Sequence, residues 1–208
     1  MEKQLTFRCY KKEDFKVIKN IIREAWKYDS FASPKIADKM AAVFLNSCLA
    51  NQTFTQVALL DNRPVGIIMG KNIKKFKNSF SLLLKRTLSI FNLLCRKEGR
   101  NVSKIFGNVN GIDKELLESS PIQYDGEVAF FAVDKQCRGY GIGKQLFSKL
   151  NNYMESECVE NYYLFTDTSC NYGFYEHQGM IRRCEKQHTF EIKNQIGNMT
   201  FFIYDNVK

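Results

Sequence analysis

Apolar and polar positions alternate along the chain in a pattern that predicts seven strands separated by helices. Runs of apolar residues bounded by turn residues predict strands, and apolar residues spaced three or four apart predict helices. The strands are predicted at residues 5–9, 53–60, 65–69, 127–133, 162–166, 181–192 and 200–204. The helices are predicted at residues 11–28, 36–49, 80–96, 113–118 and 171–177, and in the stretch after Gly143.

Turn residues mark the connections between these elements. Residues 61–64 (DNRP) predict a hairpin loop, and residues 108–111 predict a turn between two helices. Pro121 interrupts the chain before the strand at residues 127–133, and residues 194–198 connect the last two strands.

The order of the elements predicts an α+β fold. One strand, two helices and an antiparallel pair come first, and a crossover helix then links the strands at residues 127–133 and 162–166 in parallel. The result is a mixed, mostly antiparallel sheet flanked by helices. A chain of 208 residues without an internal repeat fits a single domain over residues 1–208, with a basic helical insertion at about residues 71–124.

A glycine-rich turn follows the strand at residues 127–133. Its sequence is RGYGIG at residues 138–143, and it opens a helix that continues through Leu146 and Leu150. Glycines let a phosphate group approach the backbone, and the N–H groups of the first helical turn point at that group. Lys144 adds a positive charge. The turn therefore predicts a site for a ligand that carries phosphates.

The spacing of the turn excludes two common phosphate-binding motifs and fits a third. A glutamine stands where Walker A requires serine or threonine, and the alternate glycines do not fit G-x-G-x-x-G. From Arg138, and in an overlapping register from Gln136, the turn matches Q/R-x-x-G-x-G/A, the acetyl-CoA signature of the GNAT family of N-acetyltransferases. The longer family phrase V-x-P-x-x-R-G-x-G-x-G maps onto residues 133–143, with Lys135 in place of proline. The chain thus resembles a GNAT acetyltransferase, which implies acetyl-CoA as cofactor and a splayed pair of parallel strands.

A second motif lies on the short helix at residues 171–177. The sequence YEHQGM from Tyr175 resembles the family's Y-x-x-x-G-F element, with Met180 where phenylalanine is usual. The resemblance implies that Tyr175 protonates the departing thiolate, and a phenol with a pKa of about 10 holds that proton at neutral pH. The family tends to place an asparagine seven residues before this tyrosine. Thr168 holds that position here and Asn171 lies four residues before Tyr175, so the residue that contacts the pantetheine arm stays open.

Direct transfer to an amine also requires a base. Glu127 opens the central strand, as does the catalytic glutamate of histone-acetyltransferase relatives, and Asp167 or a water molecule is the alternative. The catalytic residues are therefore predicted to be Tyr175 and Glu127. The resemblance assigns cofactor binding to Phe131, Ala132, Val133, Arg138, Gly139, Tyr140, Gly141, Ile142, Gly143, Lys144, Asn171 and Phe174.

Composition adds expectations about location and excludes two kinds of site. Apolar content of 44% and charged content of 25% are ordinary for a soluble globular chain, and neither a secretory signal nor a run long enough to span a membrane is visible. Seven scattered cysteines without C-x-x-C spacing predict reduced thiols in the cytoplasm and no metal site. An acyl-cysteine mechanism through Cys137 or Cys170 would need a base that the sequence does not place, so we set it aside.

The net charge of +9 is concentrated in one segment. Residues 71–104 hold ten lysines and arginines against the single acid Glu98, and the rest of the chain is balanced. The same segment contains the apolar helical stripe at residues 80–96. In the simplest interpretation, this helix packs against the rest of the domain. A cap near the acceptor groove, a dimer interface and a contact with an anionic membrane stay open. Cations near the groove would favour an amine acceptor that also carries an anionic group.

The sequence therefore predicts an N-acetyltransferase that moves acetyl from acetyl-CoA to a primary amine of a small molecule within a ternary complex. The expected partner is that amine, with a homodimer left open and neither nucleic acid nor a membrane span expected. The alternatives are a protein or peptide N-acetyltransferase and a non-catalytic acyl-CoA-binding module. The identity of the acceptor and the length of the acyl group stay open.

Overall fold

The computed structural model describes residues 4–192 and 195–207, and within them seven strands and six α-helices form. The strands are β1 (Leu5–Arg8), β2 (Phe54–Leu60), β3 (Arg63–Asn72), β4 (Gly126–Val133), β5 (Tyr162–Asp167), β6 (Ile181–Ile192) and β7 (Gln195–Asp205). The helices are α1 (Phe15–Ala25), α2 (Pro34–Ala50), α3 (Phe80–Leu94), α4 (Lys97–Ser119), α5 (Ile142–Ser156) and α6 (Gly173–His177).

The strands form one sheet in the order β1-β2-β3-β4-β5-β7-β6. Neighbouring strands are antiparallel except for β4 and β5, which pair in parallel. The crossover through α5 explains that exception, because parallel neighbours require a long connection. The predicted α+β fold with a mixed, mostly antiparallel sheet is confirmed.

Helices cover both faces of the sheet. Helices α1 and α2 pack on the face that carries Ile67 and Met69 of β3, whereas α5 packs on the opposite face with Ile68. Helix α4 covers the α2 face farther along the sheet, where Ile112 packs near Tyr163 of β5. This alternation of side chains along β3 is the period-two pattern of a strand buried on both faces.

A β-bulge in β4 changes the face to which its side chains point. Met69 is paired with Phe130 and Gly70 with Val128, so Ala129 has no partner on β3. Val128 belongs to the core under α5, whereas Phe130 belongs to the core under α1 and α2. The bulge lies in the strand that the two sequence motifs flank, beside the candidate site.

Helix α4 is continuous, so the predicted turn at residues 108–111 and the separate helix at 113–118 were wrong. Gly111 in the predicted turn and Gly107 just before it favour a turn, because each glycine in a helix costs about 1 kcal/mol. Burial outweighs that cost: Val102, Ile112 and Leu116 of α4 are all nearly inaccessible to solvent. A buried aliphatic side chain contributes about 1.5–3 kcal/mol. Tertiary packing therefore overrides the local preference of the glycines.

Two connections are shorter than predicted. Asp61 and Asn62 alone form the β2–β3 turn, with φ of 50° and 64°, as a two-residue type I′ turn requires. Pro64 consequently lies in β3 opposite Leu59, before β3 begins to pair with β4. Strand β7 begins at Gln195, so most of the predicted connection at 194–198 is strand, and residues 193 and 194 lie outside the described residues.

Candidate active site

A cleft opens between β4 and β5. The two strands are in register only at Gly126–Tyr162 and Glu127–Tyr163, although both strands continue beyond these pairs. The edge of β4 that faces β5 is therefore open to a ligand over the rest of the strand. A cavity of about 1660 Å³ follows this opening. The predicted splay of the parallel pair is present in the structure.

The glycine-rich turn forms one wall of the cavity. Gly139 and Gly141 have φ of +86° and +72°, a region that favours glycine because other residues are strained there. Helix α5 begins at Ile142 without a side-chain cap, so the N–H groups of its first turn have no partner within the helix. A Cβ on Gly143 would lie 3.3 Å from Cζ of Phe131, so the glycine lets the helix approach that ring.

The cavity brings together nearly all residues predicted to bind the cofactor. All of them line it except Tyr140, whose side chain is 63% exposed. Asn171 lines the cavity. Thr168 instead forms two hydrogen bonds with the backbone of Thr200, one from its own N–H and one to its hydroxyl oxygen. Of the two candidates for the pantetheine contact, Asn171 therefore has the suitable location.

Tyr175 lies on α6 with its ring in an aromatic cluster at the cavity. Its ring centroid is 5.5 Å from that of Phe174 and 6.3 Å from that of Phe131. Burial raises the pKa of Tyr175, and the charges of Cys170 and Asp167 act in the same direction. The phenol therefore keeps its proton at neutral pH and is suited to donate it.

Glu127 opens β4 within a small polar network. Its Oε2 accepts a hydrogen bond from Nδ2 of Asn51 at 3.3 Å, and Oδ1 of Asn51 accepts one from Nζ of Lys71 at 2.6 Å. Burial raises the pKa of Glu127, and this outweighs the lowering effects of the Lys71 charge and of hydrogen bonds from Asn51 and Tyr163. A carboxylate with a raised pKa is a better proton acceptor than an ordinary one.

Tyr175 and Glu127 lie on opposite faces of the sheet. Tyr175 packs against the core under α5. Glu127 is the cross-strand partner of Lys71 and so lies on the face that carries Met69, which α1 and α2 cover. Both residues line the same cavity. The opening between β4 and β5 therefore connects a site beside the glycine-rich turn with a site beside α2 and α4.

Asp113 and Asp167 place further carboxyl groups at the cavity. Asp167 ends β5, as the sequence predicted, whereas Asp113 of α4 was not identified from the sequence. Burial raises the pKa of Asp113 to about 7, and the charges of Glu127 and Asp167 contribute. Asp113 lies next to the buried Ile112 on α4. The sequence pattern predicted a turn within this helix, and therefore did not place Asp113 at the cavity.

Most cations of residues 71–104 lie away from the cavity. Lys74 forms an ion pair with Asp125 at 2.6 Å, and Lys75 forms one with Glu157 at 2.8 Å. Of the ten cations in this segment, all of which the structure describes, Arg86 alone lines the cavity. The sequence left the location of these cations open, and the structure places nine of the ten outside the cavity lining.

Cys170, next to the Tyr175 motif, is not an activated thiol. Burial raises the pKa of Cys170, and the Asp167 charge adds to this, so the thiolate is disfavoured. His177 is exposed on α6, where its ring Nδ1 contacts the carbonyl oxygen of Gly173. Among the described residues no group of histidine, cysteine and acidic side chains is arranged to hold a metal ion.

Residues 106–180 match the model of the acetyltransferase (GNAT) family. The matched segment contains β4, the glycine-rich turn, α5, β5 and α6, which together form the cavity walls described above. No curated protein sequence matches the chain significantly.

Several solved structures share the fold over nearly the whole chain. A putative phosphinothricin N-acetyltransferase superposes with a TM-score of 0.57 at 13% identity, covering 97% of both chains. The Paia N-acetyltransferase of Thermoplasma acidophilum, in complex with coenzyme A, gives 0.52 at 13% identity and 99% of both chains. The ribosomal-protein-S18-alanine N-acetyltransferase of Escherichia coli gives 0.54 at 10% identity, covering 97% of this chain and 92% of its own.

The fold is the GNAT fold, and residues 106–180 match the model of that family. The resemblance stated from the glycine-rich turn and the Tyr175 motif is confirmed. Within the residues that the structure describes, none of the helices combines the length and the apolarity that a bilayer crossing requires.

Proposed function

We propose that the protein transfers the acetyl group of acetyl-CoA to a primary amine of a small molecule within a ternary complex. The observation that carries the proposal is the single cavity that joins the glycine-rich turn, Tyr175 and Glu127 across both faces of the sheet. Its volume of about 1660 Å³ exceeds the roughly 300–1,000 Å³ of an ordinary ligand pocket. Cofactor and acceptor therefore have room to bind together.

The residues of the turn fit the phosphates of acetyl-CoA. The free N–H groups at the start of α5 offer hydrogen bonds and the positive end of the helix dipole to a pyrophosphate. Arg138 and Lys144 line the cavity beside them and add two positive charges. The open edge of β4 at residues 131–133, together with Asn171 and Phe174, offers a path for the pantetheine arm.

The thioester supplies an activated acetyl group, and the protein supplies the proton transfers. Glu127 accepts a proton from the acceptor ammonium, directly or through water, and this frees the nitrogen lone pair. A C–N bond then forms while the C–S bond breaks. Tyr175 donates its hydroxyl proton to the departing sulfur. The acylated nitrogen loses its second proton to the resulting phenolate, directly or through water, and Glu127 releases its proton to solvent. The backbone N–H groups at the open edge of β4 polarise the carbonyl oxygen.

The acceptor that we propose carries an ammonium group and an anionic group. Glu127, Asp113 and Asp167 place carboxyl groups in the cavity lining, and the ionised carboxylates among them attract the ammonium. Of the ten cations of residues 71–104, Arg86 alone lines the cavity and can meet the anionic group, and its buried Nε has no hydrogen-bond partner among the described residues. A buried donor without a partner is costly, so a carboxylate or phosphate of the acceptor would relieve that cost.

A peptide or protein acceptor and a non-catalytic acyl-CoA-binding role are the alternatives that an experiment must separate. We also propose a cytoplasmic location, which the seven free cysteines support because thiols persist in a reducing compartment.

The test is release of the coenzyme A thiol from acetyl-CoA in the presence of a panel of amines. The panel contains amino acids, their decarboxylated amines, polyamines and lysine-rich peptides. We expect turnover with a small amine that carries a carboxylate or phosphate. Glu127→Gln should lower kcat by about 100- to 10,000-fold, as loss of a general base does. Glu155→Gln, at an exposed position of α5, is the matched control.

The outcomes distinguish the candidates. Turnover only with peptides would assign the protein to the peptide acetyltransferases. Preference for polyamines would remove the anionic group from the proposal. Tight binding of acetyl-CoA without turnover on any amine would support the binding module instead.

A further inference from the structure

Helix α3 carries apolar side chains on the face that points to solvent. Phe80 is 81% exposed, Phe91 67%, Leu88 56% and Leu84 47%. These positions are three or four residues apart, so they form one stripe along the helix. Nine large hydrophobic side chains are exposed in the described part of the chain, and six of them lie on α3. The exposure is therefore a property of this helix.

The opposite side of α3 fixes the helix to the protein. Leu93 is 1% exposed and belongs to the core under α1 and α2. Lys39 of α2 donates hydrogen bonds of 2.7 Å to the backbone and side-chain oxygens of Asn92. A Cβ on Gly99 would overlap the carbonyl oxygen of Leu93, so α4 begins in direct contact with the end of α3. The helix is thus held in place with a second apolar face uncovered.

Cations without ion-pair partners surround the exposed stripe. Lys77, Lys85, Arg96 and Lys97 are exposed, and none of them forms an ion pair with a described residue. Glu98 is the single acid in the same stretch. Its carboxylate accepts hydrogen bonds of 2.7 Å from the backbone N–H and from the hydroxyl of Ser33. The surface of α3 therefore combines apolar side chains with an excess of positive charge.

We propose that the outer face of α3, defined by Phe80, Leu84, Leu88 and Phe91, is a docking surface for an anionic lipid bilayer. The aromatic and leucine side chains enter the boundary between headgroups and acyl chains, and the flanking cations contact the lipid phosphates. A large apolar face next to a basic rim is the combination that such an interfacial helix requires. The protein would lie on the membrane surface with α3 in contact, while the sheet and its cavity stay outside the lipid.

The same charges argue against the other occupants of this surface. A symmetric dimer through α3 would place Lys77, Lys85 and Arg96 of one copy against the same residues of the other. Like charges across an interface disfavour association. Nucleic acid would bind the cations through its phosphates, but it would leave Phe80 and Phe91 in water because the outer surface of a nucleic acid is phosphate. An anionic bilayer is complementary to both components of the surface.

The test is flotation of the full chain with vesicles of phosphatidylcholine, with and without phosphatidylserine. We expect binding to the anionic vesicles, weakened by salt, since the headgroup attraction is screened within about 10 Å at 0.1 M. Phe80→Ser combined with Phe91→Ser should reduce binding at least tenfold. Ile181→Ser, at an exposed apolar position of β6, should leave it unchanged. Lys77→Glu with Lys85→Glu should abolish the preference for phosphatidylserine, whereas Lys16→Glu on α1 should preserve it.

Two further readouts keep the proposal open to refutation. A Phe91→Trp variant should shift its added tryptophan emission to the blue when anionic vesicles are present, since the side chain leaves water. Melting temperatures equal to that of the wild type show that the exposed-face variants fold. No binding of the wild type to any vesicle, or equal binding of the Phe80/Phe91 double variant, overturns the proposal. A wild-type dimer that becomes monomeric in this double variant also overturns it, in favour of a second copy, as does binding to polyglutamate without binding to vesicles.

Discussion

Asn51 donates a hydrogen bond of 3.3 Å to the carboxylate of Glu127, and thus ties the end of α2 to the start of β4. The bond fixes the direction of the carboxylate in the cavity. It also stabilises the charged form of Glu127, whose pKa burial raises above the usual value. The position and the proton affinity of the proposed base therefore depend on a residue that is 76 positions earlier in the chain.

Asn51→Ala removes this hydrogen bond and should raise the pKa of Glu127 further. A general base works only when it is deprotonated, so the acidic limb of the kcat/KM profile should move to higher pH. The measurement is the rate of thiol release between pH 5 and pH 9, and Asn152→Ala on the exposed side of α5 is the matched control. An acidic limb at the wild-type position in Asn51→Ala would remove Glu127 from the role of base.

Tyr175→Phe removes the proton that we assign to the departing sulfur. We expect kcat to fall by about 100- to 10,000-fold, because that is the usual cost of losing a general acid. The affinity for acetyl-CoA should change little, since the ring and its aromatic contacts remain. Tyr10→Phe is the matched control, because Tyr10 lies outside the cavity lining and outside the predicted site. A Tyr175→Phe enzyme with wild-type kcat throughout the pH range would exclude the assignment.

Asp113→Asn should stabilise the folded protein at neutral and higher pH. Burial and neighbouring carboxylates raise the pKa of Asp113 to about 7 in the folded state, against about 4 in the unfolded chain. The folded state therefore holds the proton more tightly, and wild-type stability decreases as pH rises from about 4 to about 7. The gain in the variant should grow across this window, with an upper bound of about 4 kcal/mol above it.

Urea unfolding of wild type and Asp113→Asn between pH 4 and pH 8 provides the comparison. Glu155→Gln shows what the loss of one exposed negative charge does. A stability difference between wild type and Asp113→Asn that is the same at pH 4 and pH 8 would refute the raised pKa of Asp113.

Arg86→Met should impair recognition of the acceptor's anionic group without weakening the fold. The variant removes a buried Nε that lacks a partner, and leaving such a donor unpaired costs about 1–3 kcal/mol. We expect equal or higher stability, together with at least a tenfold rise in KM for an amine that carries a carboxylate. KM for the matching decarboxylated amine should be unchanged. Lys85→Met, the neighbouring outward residue, is the control, and an equal change for both amines would remove Arg86 from acceptor recognition.

The strand–turn–helix unit of the site was predictable because its signals are local. The glycines of the turn, the apolar run of β4 and the short helix with Tyr175 each specify structure within about ten residues. The bounds of β6 were also predicted, Ile181–Ile192, because its neighbours on both sides break the pattern. Backbone geometry and short-range sequence decide these features, so one sequence suffices.

The acceptor side of the cavity was not predictable in the same way. Asp113 and Arg86 belong to helices whose orientation depends on contacts with α2 and the sheet. The charge of residues 71–104 was clear from the sequence, but its distribution between ion pairs, the outer face of α3 and the cavity was not. Tertiary packing decides which side of a helix meets the site, and the apolar spacing of α3 fits burial on either face.

The most direct test of the account is the affinity of Gly141→Asp for acetyl-CoA, measured by calorimetry. Nothing lies within 4 Å of a Cβ at Gly141, and aspartate tolerates positive φ better than most residues, so the variant should fold. Its carboxylate would stand beside the proposed pyrophosphate site. We expect Kd to rise at least 100-fold and the stabilisation of the protein by acetyl-CoA to disappear. Gly111→Asp, at an exposed position of α4 with equally open space, should bind like the wild type. Wild-type affinity in a folded Gly141→Asp variant would contradict the claim that the turn at residues 138–143 binds the cofactor.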